Sequence, residues 1–206
     1  MTISLPTHTP HVVLLSGNTH RPSKSRALAA TLGQRLSERT EVRLTQLDLL
    51  DAGPHLGAAY FRTQLSPEAL AVVETIERAD ALIVTTPVYK GSYPGLFKHL
   101  IDLLDIEALA NVPVFIGATG GGQRHALVVE HQLRPLFGFF SALVNPTSLY
   151  VSDAEFSEGE PSHPQVLGRL ATGIEQFAAL IEARQAGKIH YATKGRDQVG
   201  LAAANA

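Results

Sequence analysis

The sequence predicts an α/β fold, a five-stranded parallel sheet in the order 2-1-3-4-5 with helices on both faces. Three observations carry this. Apolar runs alternate with helical patterns along the chain, giving strands at 11–16, 41–47, 81–84, 113–118 and 144–151; such alternation implies a parallel sheet joined by right-handed crossovers. Several runs, such as HVVLLS between its end residues and PVFIGA, show no polar alternation, as expected of strands covered on both faces. Finally, loops 17–25, 87–95 and 119–125 all follow strands, so the topology gathers them at the edge where open α/β sheets bind ligands.

Each element has its own signal. After 11–16, Leu28, Thr31, Leu32, Arg35 and Leu36 share a helical face over 27–36. The run EVRLTQL at 41–47 alternates polar and apolar, as a strand nearer a sheet edge does. Residues 48–65 form a long connection with Gly53-Pro54 and Gly57, and such connections tend to serve function or an interface. Ser66 is the expected N-cap of the next helix, with Pro67 at its first position and an end near Ala79. Strand 81–84 leads through 87–95 to a helix reaching about Asp105. Strand 113–118 empties into Thr119-Gly120-Gly121-Gly122, and a long helix follows over 126–143. The last strand, 144–151, is weakened at its beginning by Pro146. A polar loop, 153–164, precedes a closing helix over 165–186. One domain is expected over 1–186, with a disordered lead-in through residue 10 and a polar tail over 187–206 that is loose or an arm on a partner subunit.

Composition narrows the function. The 206 residues are 45% hydrophobic and 17% charged with net charge −2, so no global field recruits nucleic acid or an anionic membrane. The absence of cysteine excludes disulfides, thiolate catalysis and Cys-ligated metal sites, and fits a reducing cytoplasm. The opening MTISLPTHTPH is no secretory signal, and no apolar run is long enough to span a bilayer. His20, His99 and His125 lie in or near the three loops without the spacing of a metal motif, so no metal is expected; His99 is expected on its helix surface.

The loops carry the chemistry. The first offers Ser16, Asn18, Thr19, Ser23 and Ser25 with Arg21 and Lys24, in front of a helix N-terminus that favours anions. It reads either as a phosphate cradle or as a solvated loop with a capping serine. It is neither a Walker A loop nor a dinucleotide fingerprint, which favours a mononucleotide. Gly120, Gly121 and Gly122 form either a flexible turn or a stretch stripped of side chains where a ligand plane meets backbone. The second loop, Pro87-Val88-Tyr89-Lys90-Gly91-Ser92, mixes aromatic surface with backbone amides and no acid. Phosphate on the first loop and an isoalloxazine between the other two describe FMN, a cofactor that itself carries the redox chemistry.

The segments SGNTHRPSKS (16–25), TPVYKGSYPGLFKHLIDLL (86–104), ATGGGQRHALVVEHQLRPLFGFF (118–140) and VSDAEF (151–156) resemble the NADPH-dependent FMN reductase family over roughly residues 11–156. The nearest likeness is to the methanesulfonate and alkanesulfonate FMN reductases of two-component monooxygenase systems. The resemblance implies a flavodoxin-like fold and dissociable FMN, with NADPH or NADH as hydride donor. It also implies a homotetramer or dimer in the cytoplasm, and a partner flavin-dependent monooxygenase in organosulfur metabolism that takes up reduced FMN. By position it gives Ser16, Asn18, Arg21, Ser23 and Ser25 the phosphate role. Pro87, Val88, Tyr89, Lys90, Gly91 and Ser92 flank the ring, and Thr119, Gly120, Gly121 and Gly122 close its other side. Many members have Gly-Ser-x-Arg in the first loop; here Gly17-Asn18-Thr19-His20 stands there and Arg21 comes one place later.

Pro135 has no N–H for the carbonyl of His131, and its ring crowds the preceding turn, so a kink or π-bulge is expected near His131. His131 is then either a structural histidine or, as in the alkanesulfonate-type reductases, part of an interface bulge that helps flavin leave. The other readings of the chain are an FMN-retaining quinone, azo-dye or chromate reductase, an electron carrier without hydride activity, and a flavin-free regulatory domain. Flavin retention on gel filtration, nucleotide oxidation and flavin titration separate them.

Overall fold

Every residue of the first strand, β1 (His11–Ser16), is buried, because it lies inside the sheet and is covered from both sides. The computed structural model describes residues 8–187. The expected tail over 187–206, Gly187 excepted, and the lead-in before residue 8 lie outside that range.

The chain runs through α1 (Lys24–Arg39), β2 (Arg43–Asp48), α2 (Pro67–Glu77), β3 (Ala81–Pro87), α3 (Gly95–Asp102) and β4 (Pro113–Gly120). It continues through α4 (Arg134–Phe139), β5 (Leu143–Val144), β6 (Leu149–Ser152), a small hairpin of β7 (Phe156–Ser157) and β8 (Glu160–Pro161), and α5 (Pro164–Gln185). The main sheet has the order β2-β1-β3-β4-β5, with β6 also on β4, and all its pairs are parallel. This is the predicted α/β, flavodoxin-like order. No described helix is long and apolar enough to cross a membrane.

Strand alternation divides the core into two layers. Val13 and Leu15 of β1 face a cluster with Val73 and Ile76 of α2, Phe97 and Leu100 of α3, and Phe137 of α4. Val12 and Leu14 face Leu28, Leu32 and Leu36 of α1 with Leu170, Ile174 and Phe177 of α5. Both sides of β1 and β3 thus bury aliphatic surface, each such side chain contributing about 1.5–3 kcal/mol, which explains runs with no polar alternation.

Most boundaries lie within a few residues of expectation. Helix α1 starts earlier because Ser23 caps it, accepting from the Arg26 N–H. Ser66 caps α2 as expected, with Pro67 in the first turn. Helix α3 stops at Asp102 rather than 105, and its last amides close tighter bonds, Leu103 N–H to the Leu100 carbonyl among them. The long connection holds two short 3₁₀ turns, Leu56–Ala58 and Arg62–Gln64. His99 is half-buried, its ring Nε2 lying 3.0 Å from the Leu56 carbonyl, not on an open helix surface.

Two expectations need correction. The helix over 126–143 is a 3₁₀ turn at Gln123–His125, a π-turn at Val129–Leu133 and α4, ending at Phe139. The π-turn contains His131, where the proline constraint placed a bulge; the Arg134 N–H reaches back to the Val129 carbonyl. The last strand is not continuous. The Asn145 N–H still bonds the Val114 carbonyl at 2.8 Å, but Pro146 has no donor, and β5 and β6 become separate pieces. The Asn145 side chain bridges the break by donating to the carbonyls of Thr147 and Gly173.

Candidate functional site

Parallel register brings the three loops together. Ser16 pairs with Thr85, and Pro87 pairs with Thr119, so β1, β3 and β4 end at one edge. The Gly17 N–H donates to the Thr85 carbonyl and the Val88 N–H to the Thr119 carbonyl, each at 2.8 Å. A Cβ on Gly17 would lie 2.7 Å from Thr86 Oγ1 and 3.0 Å from Phe97 Cδ2, so only glycine lets the chain leave β1 here.

In the first loop the serine hydroxyls gather at the start of α1. Ser25 Oγ lies 3.3 Å from Ser16 Oγ and 2.9 Å from Ser23 Oγ, and Thr85 Oγ1 donates to the Ser25 carbonyl at 2.7 Å. Asn18 is buried; its amide nitrogen donates to the His20 carbonyl and to Asp48, while its Oδ1 is buried with no partner among the described residues. The cations are already engaged. Arg21 donates to both oxygens of Asp48, at 2.7 and 2.8 Å, and to Asp51 at 2.7 Å. Arg26 pairs with Asp48 and Lys24 with Asp153. Burial pushes the Asp48 carboxyl up, but hydrogen bonds from Arg21, Asn18 and the Leu50 N–H, with the Arg26 charge, hold it below the usual carboxylate range. Asp48 organises the loop, and its signal in the sequence was only an aspartate opening the long connection after the second strand; the pairing of Ser16 with Asp48 puts it there.

The second loop is a two-residue hairpin. Tyr89 and Ser92 exchange both backbone hydrogen bonds, at 2.7 and 3.2 Å. Lys90 and Gly91 have φ of 53° and 88°, the left-handed pair of a type I′ turn. The amides of Lys90 and Gly91 donate to no protein group among the described residues. Ser92 Oγ donates to Gln132 at 3.2 Å, tying the hairpin to the π-turn.

The third loop is pinned from below. A Cβ on Gly120 would fall 2.5 Å from the Tyr150 hydroxyl, which donates to the Gly122 carbonyl at 2.6 Å. Burial pushes the Tyr150 phenol up, keeping it the protonated donor that contact requires. Gln123 reaches Ser152 and Glu155 at 3.3 and 3.0 Å. Gly121 and Gly122 face open space, with nothing within 4 Å of an added Cβ. The result is a ledge of bare backbone.

The structure therefore gathers Ser16, Asn18, Ser23 and Ser25 on one side of the edge, with residues 87–92 and 119–122 on the other. Arg21 sits beside the serines with its guanidinium turned to Asp48 and Asp51. His131 is exposed on the π-turn and lines a cavity of about 290 Å³ with Gly91, Arg124 and Gln132. Among the described residues no three His, Cys, Asp or Glu side chains come together as a metal site would require.

Comparison with known proteins follows the same geometry. Residues 10–156 match the family model of NADPH-dependent FMN reductases. The NADH-dependent FMN reductase SfnF of Pseudomonas fluorescens is 45% identical over 169 residues, 82% of this chain and 90% of that protein. An FMN reductase (NADPH) of Pseudomonas aeruginosa is 43% identical over 173 residues, 84% and 93% of the two chains. Among solved structures, an oxidoreductase from Corynebacterium diphtheriae superimposes with a TM-score of 0.76 at 31% identity, covering 85% of this chain and 98% of that one.

Proposed function

The chain belongs to the NADPH-dependent FMN reductase family and is an oxidoreductase of FMN and NAD(P)H; on that premise we propose that it releases reduced FMN to a separate flavin-dependent monooxygenase of sulfonate or sulfone metabolism. The observation that carries this is the state of the first-loop cations. Arg21, Arg26 and Lys24 are each held by carboxylates. A phosphate there meets hydroxyls and amides but no unengaged guanidinium or ammonium, so it lacks the bidentate, charge-to-charge contacts that hold phosphate most tightly. Such a grip suits a flavin that must leave.

The residues present fit FMN. Ser16, Ser23 and Ser25 with the first amides of α1 form a cradle for the phosphate. Asn18 brings a buried acceptor, Oδ1, that has no partner among the described residues. The amides of Lys90 and Gly91 suit the pyrimidine edge of the ring, with Pro87, Val88, Tyr89 and Ser92 flanking it. Thr119, Gly120, Gly121 and Gly122 support one face without side chains over it, leaving room for a nicotinamide. Bound flavin supplies the hydride acceptor. The chain holds the ring level, presents donors to one edge and keeps the facing side open.

The same reading places the protein in the cytoplasm as a dimer or tetramer. Its self-association is supported by a groove of about 460 Å³ between α3 and α4, with Ile106 and Phe139 exposed at 63% and 66%. The test is oxidation of NADPH and NADH by flavin-stripped protein with and without free FMN. Turnover that needs added FMN, with flavin lost on gel filtration, is the expected result. Flavin retained through the column, with activity on quinones, would replace this reading by the FMN-retaining one.

A further inference from the structure

The cavity beside the π-turn differs in charge from the rest of the sheet edge. Its polar walls are Arg124, His125, His131 and Gln132, and no carboxylate lines it. At the first loop Arg21, Lys24 and the adjoining Arg26 each have an acidic partner. Arg124 has none among the described residues. Its Nε donates to the neighbouring His125 ring at 3.2 Å, its only hydrogen bond among them. That leaves the terminal guanidinium nitrogens open. Lys90, exposed at the tip of the adjoining hairpin, also lacks a carboxylate partner among the described residues.

Position gives this charge a use. The cavity includes Gly91 of the hairpin, and Arg124 lies two residues beyond the bare ledge of Gly121 and Gly122. A ligand lying across the ledge therefore runs into it. About 290 Å³ is small for a whole dinucleotide but holds a phosphate with part of its ribose. Guanidinium forks bind phosphate oxygens in pairs, and an Arg free of acids is available to do so.

We propose that this cavity is an anion subsite for a phosphate group of the nicotinamide dinucleotide, with Arg124 as its principal ligand. The proposal rests on the NAD(P)H oxidoreductase reading and adds to it a binding residue for the donor. Phosphate chemistry is shared by the pyrophosphate of both dinucleotides and the 2′-phosphate of NADPH alone, and the experiment separates them.

The test is Arg124→Gln, with Arg124→Lys as the conservative partner. Arg124 is exposed, so neither substitution disturbs packing. Calorimetric binding of NADP⁺, which cannot transfer hydride, is measured on FMN-loaded protein alongside FMN affinity and steady-state kinetics with both donors. In R124Q the Kd for NADP⁺ and the KM for NADPH rise about tenfold, the loss of one charge-assisted contact. The FMN affinity and kcat stay within about twofold. Arg124→Lys recovers part of the loss. A KM rise for NADPH alone assigns the 2′-phosphate, and an equal rise for NADH assigns the pyrophosphate; both support the subsite. Wild-type NADP⁺ affinity and KM in R124Q overturn it while leaving the reductase reading intact. If the wild-type protein with FMN oxidises neither donor, the reductase reading fails together with the subsite.

Discussion

Asp48 shows how much one side chain can organise. It is buried and receives Arg21, Arg26 and Asn18 from the first loop and helix. Asp48→Asn leaves Arg21 with Asp51 alone and takes the close counter-charge from Arg26, so the urea denaturation midpoint should fall. The pH dependence follows from sign. The folded pKa lies below the ordinary value of 3.8, so this contribution is complete above 3.8 and is lost as pH falls through the lower folded value. Urea midpoints measured down that range should fall for the wild type and less for D48N. Gly120→Ala should weaken FMN binding, read by flavin fluorescence, because its Cβ would sit 2.5 Å from the Tyr150 hydroxyl. Adding Tyr150→Phe removes the obstructing oxygen and should restore part of the affinity; no recovery would mean that the clash is not the cause. The serines of the first loop were legible because they are neighbours in sequence. The partner of Arg21 was not, since the residue is set by the register between β1 and β2, which residue types do not encode.

At the level of elements, the π-turn was legible from a single missing donor at Pro135, whereas the break between β5 and β6 was not. Pro146 weakens any strand, but only the long β4 beside it decides that pairing resumes at Leu149. The two irregularities are joined. Arg134, at the end of the π-turn, pairs with Glu130 and donates to the carbonyls of Asn145 and Pro146, and Ser148 donates to Glu130 at 2.6 Å. The Arg134 hydrogen bond, helped by Ser148, pulls the Glu130 carboxyl down to about 2, against burial. Its stabilisation is therefore complete above the ordinary value of 4.5 and is lost between 4.5 and about 2. Hydrogen exchange across 129–133 should quicken relative to the sheet as pH falls through that window. Glu130→Gln should abolish that selective change; a wild-type pattern in E130Q would show that other groups hold the turn.

Across the whole molecule, the sheet order was legible because alternation with right-handed crossovers leaves few topologies, and a phosphate-type loop after the first of five strands favours 2-1-3-4-5 among them. The face proposed for self-association did not follow, since the apolar stretch 136–143 served equally well as core: Phe137 is buried while Phe139 stands out at 66% exposure. Phe139→Glu should shift sedimentation velocity profiles toward smaller species at micromolar concentration. An unchanged distribution would overturn self-association through this face. The broken strand β5–β6 has a consequence of a different kind. It lies at one margin of the sheet, where an unbroken run of free amides and carbonyls would be a template for stray chains. Proline at the break and two short pieces, of 2 and 4 residues, deny that margin a continuous ladder. Concentrated protein should therefore stay clear of fibrillar deposits when its flavin has been stripped away.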